Sequence, residues 1–385
     1  MLKQKLNKFK VIALILVLPI FLSGCISIKS DKTAGNFGGF FRSNDKAVTW
    51  KHVTTMYTPG GEVTNFNASN ILNISFDAQD PAAVYLGSQH DGIFYSYNYG
   101  NGWFRTLTGK GTINSVQVDP KDKCTLFAAA HTEIYKTTDC SRKWERLYFE
   151  PRAGVFITSL AIKGDNTNIV FAGNSIGDLL RSEDGGISWK VLHMFNNKIL
   201  DIVVQNHYDD EVMYVVTAST GIHKSKNSGE NWQNLLDLHV NAQEGTTEAG
   251  VRESYNFPDI VVNAENATLR DIRGSETVIT FNQDFSVDDG IIYANRVGLF
   301  RLNEDNVWQQ VRLLTRDRQE TIYSVAVNPG NTNEIFYGSG NALYHSIDNG
   351  QNWTIDSLPT THVARSLEFS SDNRFLYLGA LRIEK

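Results

Sequence analysis

Hydrophobic residues recur along the chain in short, strand-like segments, and turns rich in glycine, asparagine and aspartate separate them. Five segments share one frame, in which the first, fourth and sixth positions are apolar and the third is polar. They begin at Ile71, Ile113, Ile157, Ile199 and Ile322. A tryptophan follows each of these isoleucines after 31 to 33 residues, and two further strand-like runs lie between them. The pattern predicts an all-β chain built from repeated units of four short antiparallel strands.

A second repeated pattern, S-x-D-x-G-x-[S/T]-W, occupies the turn before the tryptophan. It is complete from Ser182 to Trp189, and the other copies are degenerate. Serine and aspartate side chains can bond the backbone of their own turn, and glycine supplies a positive φ, so these residues are predicted to be structural. They are Ser43, Asp45 and Trp50; Ser96, Asn98, Gly100 and Trp103; Thr137, Asp139 and Trp144; Ser182, Asp184, Gly186 and Trp189; Ser225, Asn227, Gly229 and Trp232; Trp308; and Ser346, Asp348, Gly350 and Trp353.

The two ends of the chain are predicted to complete one unit together. After Trp353 the frame recurs from Ala364 to Phe369, and one more apolar run follows it before the chain ends. Phe40 to Ser43 and Trp50 to Val53 would supply the two missing outer strands. The sequence therefore predicts a seven-bladed β-propeller over residues 38–385, its ring closed by N- and C-terminal strands that share one blade.

One unit is longer than the rest, because 76 residues separate Trp232 from Trp308 while other adjacent tryptophans are 41 to 53 apart. The excess, residues 238–275, is interpreted as an insertion between blades on the face opposite the boxes. An eighth blade is disfavoured, since no strand-and-box pattern occurs there. The insertion and a second loop on that face carry arginines and aromatic residues, a composition typical of interaction surfaces. An ordinary solvated loop is the alternative. The predicted partner-binding residues are Arg252, Tyr255, Phe257, Arg270, Arg273, Arg316 and Arg318.

The first 24 residues have the pattern of a secretory signal peptide: four lysines, then an apolar stretch from Val11 to Leu22 too short to span a membrane. Leu22-Ser23-Gly24-Cys25 resembles a bacterial lipobox, which implies that Cys25 is acylated and becomes the first residue of the mature chain. Residues 25–37 would form a lipidated tether that holds the protein, outside the cytoplasm, on the cell membrane or outer membrane. An incidental cysteine behind a buried apolar terminus is the alternative.

The net charge and the remaining cysteines limit the partners and cofactors that the chain is expected to bind. Without residues 1–24 the chain has 32 basic and 42 acidic residues, which argues against a nucleic-acid partner. Cys124 and Cys140 flank a predicted hairpin and are expected to form a disulfide in an oxidising compartment, two separate buried thiols being the alternative. The chain contains no CxxC, HExxH or glycine-rich phosphate loop, so no metal or cofactor is predicted.

The boxes resemble those of the BNR/Asp-box repeat superfamily over essentially the whole mature chain. That group includes sialidases, xyloglucan-type glycoside hydrolases, sortilin-like receptors and photosystem II stability/assembly factor-like proteins. A single propeller behind a lipobox is most similar to the last group, whose members are non-enzymatic scaffolds. The resemblance implies a membrane-anchored scaffold with a protein or envelope-glycan partner and no catalytic residue. It does not imply a photosystem role, because the arginine-rich patch of the photosynthetic members is not evident.

A glycoside hydrolase, sialidase-like or xyloglucanase-like, is the competing function. The sialidase motif Phe/Tyr-Arg-Ile-Pro is absent, because Phe41-Arg42 is followed by Ser43-Asn44. Xyloglucan-type enzymes usually pair two propellers, and this chain predicts one. Hydrolysis would need two carboxylates across a cleft, and only Asp201, unusual on an inner strand, is a candidate to line the channel. A glycan-binding module without catalysis is a third interpretation.

Overall fold

The structure is a computed structural model that describes residues 28–29, 35–58, 60–204, 211–235, 278–281, 291–295, 298–302, 308–311, 313–314 and 321–383. Every regular element in these ranges is a β-strand, which confirms the predicted all-β class. Across the same ranges, no helix has the length and apolar character needed to cross a membrane.

The strands are numbered in chain order. Those of the first half are β1 (Ile28–Lys29), β2 (Phe40–Ser43), β3 (Lys51–His52), β4 (Thr55–Tyr57), β5 (Val63–Asn65), β6 (Ile71–Phe76), β7 (Val84–Ser88), β8 (Ile93–Ser96), β9 (Phe104–Thr106), β10 (Ile113–Asp119), β11 (Asp122–Ala130), β12 (Glu133–Thr137), β13 (Glu145–Phe149), β14 (Ile157–Ile162), β15 (Val170–Asn174), β16 (Asp178–Ser182) and β17 (Lys190–Met194). Those of the second half are β18 (Ile199–Val204), β19 (Met213–Thr217), β20 (Gly221–Ser225), β21 (Gln233–Asn234), β22 (Val278–Phe281), β23 (Ile291–Asn295), β24 (Gly298–Leu302), β25 (Trp308–Val311), β26 (Ile322–Asn328), β27 (Asn331–Ser339), β28 (Ala342–Ser346), β29 (Thr354–Ser357), β30 (Val363–Phe369) and β31 (Leu376–Leu381).

Strands that follow one another in the sequence pair antiparallel in four-stranded sheets, beginning with β6–β9 and ending with β26–β29. The last sheet has the order β3-β2-β31-β30, so strands from both ends of the chain share it, with Phe41 opposite Leu378. Joining the termini within one sheet removes an open edge between the first and last units of the chain.

Six inner strands are built in the same way around a central channel. They are β6, β10, β14, β18, β26 and β30, and each shows a register shift between the first and third positions of the apolar frame. Such a bulge places two residues of the inner strand opposite one of its partner and turns side chains away from strict alternation. All six strands contribute to the lining of the channel.

The sheet β22–β25 departs from the other six, and the predicted blade number is corrected here. Strand β22 pairs with β23 without a register shift and is absent from the described channel lining. It contacts β26, but among the described residues no contact of like extent joins it to β18. Six blades therefore surround the channel, and not the predicted seven. This sheet follows residues 238–275, and its turn keeps only Trp308 of the box, so the residues that orient a blade are missing.

The box turns hold their shape by hydrogen bonds within the turn. The Ser182 hydroxyl accepts from the Gly186 amide at 2.8 Å, and the Asp184 carboxylate accepts from the Ser188 amide at 2.8 Å. Both side chains thus replace backbone partners that a tight turn leaves unpaired. The same two bonds recur in the boxes that begin at Ser43, Ser96, Thr137, Ser225 and Ser346.

Trp103 and Trp189 show how a box tryptophan packs between its own sheet and the preceding one. Trp103 is fully buried, and its ring meets Phe40 of β2 edge-on at 5.5 Å. Trp189 lies 5.9 Å from Tyr148 of β13, and its indole N–H donates to the Gly186 carbonyl at 2.8 Å. The box turn therefore positions the aromatic residue that joins neighbouring blades.

Two faces of the ring follow from the alternation of strand direction. Turns after the first and third strands of a sheet lie on one side, which we call the box face because the boxes are there. Turns after the second strand and the connections between sheets lie on the other side, which we call the mouth face. The chain also forms two elements outside the repeat: the hairpin of β4 and β5, and β1, which pairs parallel with the outer edge of β29.

Cys124 of β11 and Cys140 of the adjacent box lie opposite one another, with the Cys140 amide donating to the Cys124 carbonyl at 3.1 Å. Their sulfurs are placed as a disulfide that closes a loop of sequence separation 16. We predict that mass spectrometry of the protein, purified without reductant, recovers the two cysteines in one linked peptide. The paired Cys124→Ser and Cys140→Ser variant should lose about 3 kcal/mol of unfolding free energy. Recovery of both thiols free would refute the bridge.

At Gly186, the fifth position of the complete box, both space and backbone conformation favour glycine. Gly186 has φ of 96°, and an added Cβ would lie 2.7 Å from Leu147 Cδ1 and 3.0 Å from Phe127 Cε1. Gly154→Ala is the matched control, because Gly154 also has positive φ but nothing lies within 4 Å of the added Cβ. We expect Gly186→Ala to lower the unfolding free energy by about 2–4 kcal/mol, against about 1 for Gly154→Ala, in urea titrations. Equal losses would contradict the packing argument.

Candidate functional site

The six inner strands enclose a channel with a cavity of about 370 Å³. Phe156 and Lys198, which immediately precede β14 and β18, line it, so it opens on the mouth face. A cavity of this size is in the range of small-ligand and peptide side-chain pockets. Its polar lining residues are Asn73, Asn114, Ser115, Gln117, Thr158, Ser159, Lys198, Asp201, Ser324, Arg365, Ser366 and Glu368.

Polar side chains at the third frame position join four of the inner strands, β6, β10, β14 and β26, to the next blade. The Ser159 hydroxyl accepts from the Ile202 amide at 3.1 Å and donates to Asp201 at 3.0 Å. Ser324 donates to the Ala364 carbonyl at 2.6 Å in the same manner. These bonds satisfy backbone groups that the bulge takes out of the strand ladder, so the channel wall is polar for a structural reason.

Glycines on the second strand make room for these side chains. Gly87 pairs with Asn73, and a Cβ at Gly87 would lie 2.4 Å from the Asn73 amide nitrogen. Gly379 pairs with Ser366 under the same restriction. The polar wall and the glycines behind it therefore form one packing unit.

Two carboxylates, Asp201 of β18 and Glu368 of β30, line the channel from different blades. Burial raises the pKa of Asp201, and the hydroxyl of Ser159 opposes that shift in part. Burial and the nearby charge of Asp201 raise the pKa of Glu368 to about 8. Both residues keep a small part of their surface exposed, and protein surrounds the rest. At neutral pH the pair holds a proton, so it can both donate and accept hydrogen bonds.

The channel wall also contains buried polar atoms without a partner. Asn73 Oδ1, Thr158 Oγ1 and Ser366 Oγ are buried and make no hydrogen bond within the described protein. Lys198 and Arg365 lie nearer the mouth than the two carboxylates, since they occupy earlier positions of their frames. The arrangement suits a polar, extended segment that enters from the mouth face, with cationic groups at the entrance and a protonated carboxyl deeper in.

The sequence-predicted site residues fall into two groups. The box residues lie toward the face opposite the channel mouth, and none of them is among the residues that line it. Cys25 and the predicted partner-binding residues lie outside the described residues: Arg252, Tyr255, Phe257, Arg270, Arg273, Arg316 and Arg318. In the sequence, residues 238–275 lie between β21 and β22, and Arg316 and Arg318 lie between β25 and β26.

Sequence reasoning singled out Asp201 but missed Glu368, Arg365 and Lys198. Arg365 and Glu368 occupy the second and fifth positions of the frame, which vary between repeats and were not treated as informative. A charged residue at such a position on an inner strand was the available signal. In the described part of the chain, no group of three or more histidine, cysteine or acidic side chains is arranged to hold a metal ion.

Comparison with known families finds one match. The pattern of the family described as photosynthesis system II assembly factor YCF48 matches residues 105–381. No curated protein sequence matches the chain.

Solved structures with the same fold include both enzymes and assembly factors. The GH74 enzyme of Niastella koreensis has a TM-score of 0.58 at 15% identity, covering 81% of this chain and 51% of its own, so this chain spans about half its length. YCF48 bound to a D1 peptide has a TM-score of 0.55 at 16% identity, and the match covers 82% of this chain and 94% of that one. YCF48 from Cyanidioschyzon merolae has a TM-score of 0.54 at 15% identity, and the match covers 81% of this chain and 95% of that one. At these identities the structures show a shared fold alone.

The titration of Glu368 makes stability depend on pH. Its ordinary pKa is 4.5 and its folded pKa about 8, so between these values the folded chain holds a proton that the unfolded chain has lost. Unfolding free energy should therefore fall as pH rises from 5 to 9. In urea titrations of Glu368→Gln, the decrease in unfolding free energy between pH 5 and 9 should be smaller than in the wild type by at least about 1 kcal/mol, because a neutral amide does not titrate. The exposed Glu62→Gln is the control, and equal pH slopes in all three proteins would contradict the assignment.

Proposed function

Because this chain belongs to the family described as photosynthesis system II assembly factor YCF48, we propose that it is a non-enzymatic interaction or assembly scaffold. The scaffold acts at the cell envelope, held there by a lipid on Cys25, and it binds a protein partner on its mouth face. The family match supports the scaffold role, and the lipobox-like residues 22–25 support the anchor.

The observation that carries the proposal is the polar channel, which opens on the mouth face. We expect residues 238–275 and the segment with Arg316 and Arg318 to lie beside that opening. A structure of the same fold is bound to a D1 peptide, which supports a protein segment as the kind of ligand such a propeller takes. The polar channel would accept part of that segment.

A glycoside hydrolase is the second candidate, and the pair of Asp201 and Glu368 is the observation that favours it. Hydrolysis of a glycosidic bond uses one protonated and one ionised carboxyl group, and burial keeps a proton on Glu368 near neutral pH. The GH74 enzyme shares the fold, but this chain spans only about half of it. The two carboxylates also sit within a channel whose other polar groups bond neighbouring blades, which favours binding over catalysis.

Crosslinking in the envelope fraction, followed by purification of the chain, tests the proposal. Deletion of residues 238–275 should leave the strand content unchanged and abolish capture of the partner. Lys198→Glu should reduce capture several-fold, because it reverses a charge at the channel mouth. Ile187→Ser is the matched control: Ile187 is exposed on the box face, and its loss should leave capture unchanged.

Two results would overturn the proposal. If the deletion variant and Lys198→Glu both captured the partner as well as the wild type does, the mouth face would not be the binding surface. Hydrolysis of xyloglucan or aryl-glycosides by the wild type, lost in both Glu368→Gln and Asp201→Asn, would replace the scaffold with the hydrolase.

A further inference from the structure

Strand β1 gives the chain beyond Cys25 a defined path along the propeller. It pairs parallel with β29, with Ile28 opposite Ile355 and Lys29 opposite Asp356. Because β29 begins immediately after the box that ends at Trp353, Ile28 lies at the level of the box face. The start of the described N-terminal segment is therefore at the box end of this blade.

The same segment reaches the opposite face a few residues later. Gly35 forms a parallel bridge with Thr360, and its carbonyl accepts from the Thr361 amide at 3.1 Å. Thr360 lies past the end of β29, in the connection to β30 on the mouth face. The chain thus enters at the box face and leaves at the mouth face, and the reverse direction is excluded by the parallel pairing.

Chain length then limits where an anchor at Cys25 can be. Two residues, Ile26 and Ser27, separate Cys25 from Ile28, so three steps of fully extended chain join them and span at most about 11 Å. An anchor at Cys25 would therefore be held near the rim of the box face at the blade of β26–β29. The mouth face is out of reach of so short a segment, because β29 alone is four residues long.

Exposed apolar side chains lie on the same rim. Ile347, in the box of this blade, is 67% exposed, and Val48, in the box of the next blade, is 57% exposed. The two blades are joined there by the 2.7 Å ion pair of Lys46 with Glu334. Neither apolar side chain takes part in the hydrogen bonds of its turn, so both are available to an apolar surface.

We propose that the box-face rim around Ile347 and Val48 rests on the lipid bilayer, so that the mouth face and its channel point away from the membrane. The inference rests on the proposed anchor at Cys25. Insertion of acyl chains near this rim would bring both apolar residues to the headgroup region, where burial of their surface adds to the anchor. The partner-binding face is thereby left open to the space outside the membrane.

Quenching of a fluorophore by spin-labelled lipid headgroups tests the orientation. The acylated full chain is bound to phosphatidylcholine vesicles that contain headgroup-labelled phosphatidylcholine, with a dye attached at Ile347→Cys. The matched control carries the dye at Ile176→Cys, an exposed residue of similar chemistry in the β15–β16 turn on the mouth face. Quenching should be several-fold stronger at 347 than at 176. Ile28→Pro removes a backbone N–H from β1 and should weaken its pairing with β29. In this variant the quenching at 347 and the quenching at 176 should become similar, while the protein stays bound to the vesicles.

Sedimentation with the vesicles separates failure of the anchor from failure of the orientation. A chain that stays in solution refutes the anchor, and the orientation with it. A chain that sediments but shows equal quenching at 347 and 176, or stronger quenching at 176, keeps the anchor and overturns the orientation.

Discussion

The hydrogen bonds inside each box turn determine where one sheet meets the next. Ser182 and Asp184 each hold a backbone amide four residues on, and this fixes the direction in which Trp189 re-enters the sheet. The indole then fills the space between two blades. Each such hydrogen bond contributes about 1 kcal/mol. Burial of the tryptophan that it positions contributes more, so a weak local interaction controls a stronger packing interaction.

The conformation of the turn persists where its preferred residue is lost. Ala47 and Ser141 replace the box glycine in two copies and still adopt φ of 71° and 69°. The remaining bonds of the turn and the packed tryptophan outweigh the strain of a side chain in that region. Where the serine, aspartate and glycine are all missing, as before Trp308, the sheet β22–β25 no longer has the register of the other six. The most degenerate box and the loss of the inner-strand register shift thus occur in the same sheet.

The box turns and the channel mouth occupy opposite faces of the ring. The box bonds form one side, while the channel opens on the other. The third frame position is committed to blade-to-blade bonds, which leaves the second and fifth positions free to vary. Arg365 and Glu368 are at those variable positions. The charged groups of the channel therefore occupy positions that the repeat does not need for its structure.

Local patterns in the sequence determined much of this protein. The apolar frames predicted the inner strands, the boxes predicted the turns, and the leftover strands at the two ends predicted a shared sheet. These features depend on residues within one or two turns of each other, where hydrogen bonding and side-chain alternation are decided. The arginines of the insertion could be named but not placed, because no periodic pattern relates them to the sheets.

The tertiary structure alone decided the number of blades around the channel and the meeting of Asp201 with Glu368. Counting tryptophans gave seven units, but the number of blades around the channel depends on how successive sheets pack. The sheet that contains Trp308 has a degenerate box and does not pack like the other six. Asp201 and Glu368 lie on strands from distant parts of the chain, and their pKa values shift because ring closure buries them together. No local pattern encodes that encounter, since it exists only when the strands between them have closed the ring.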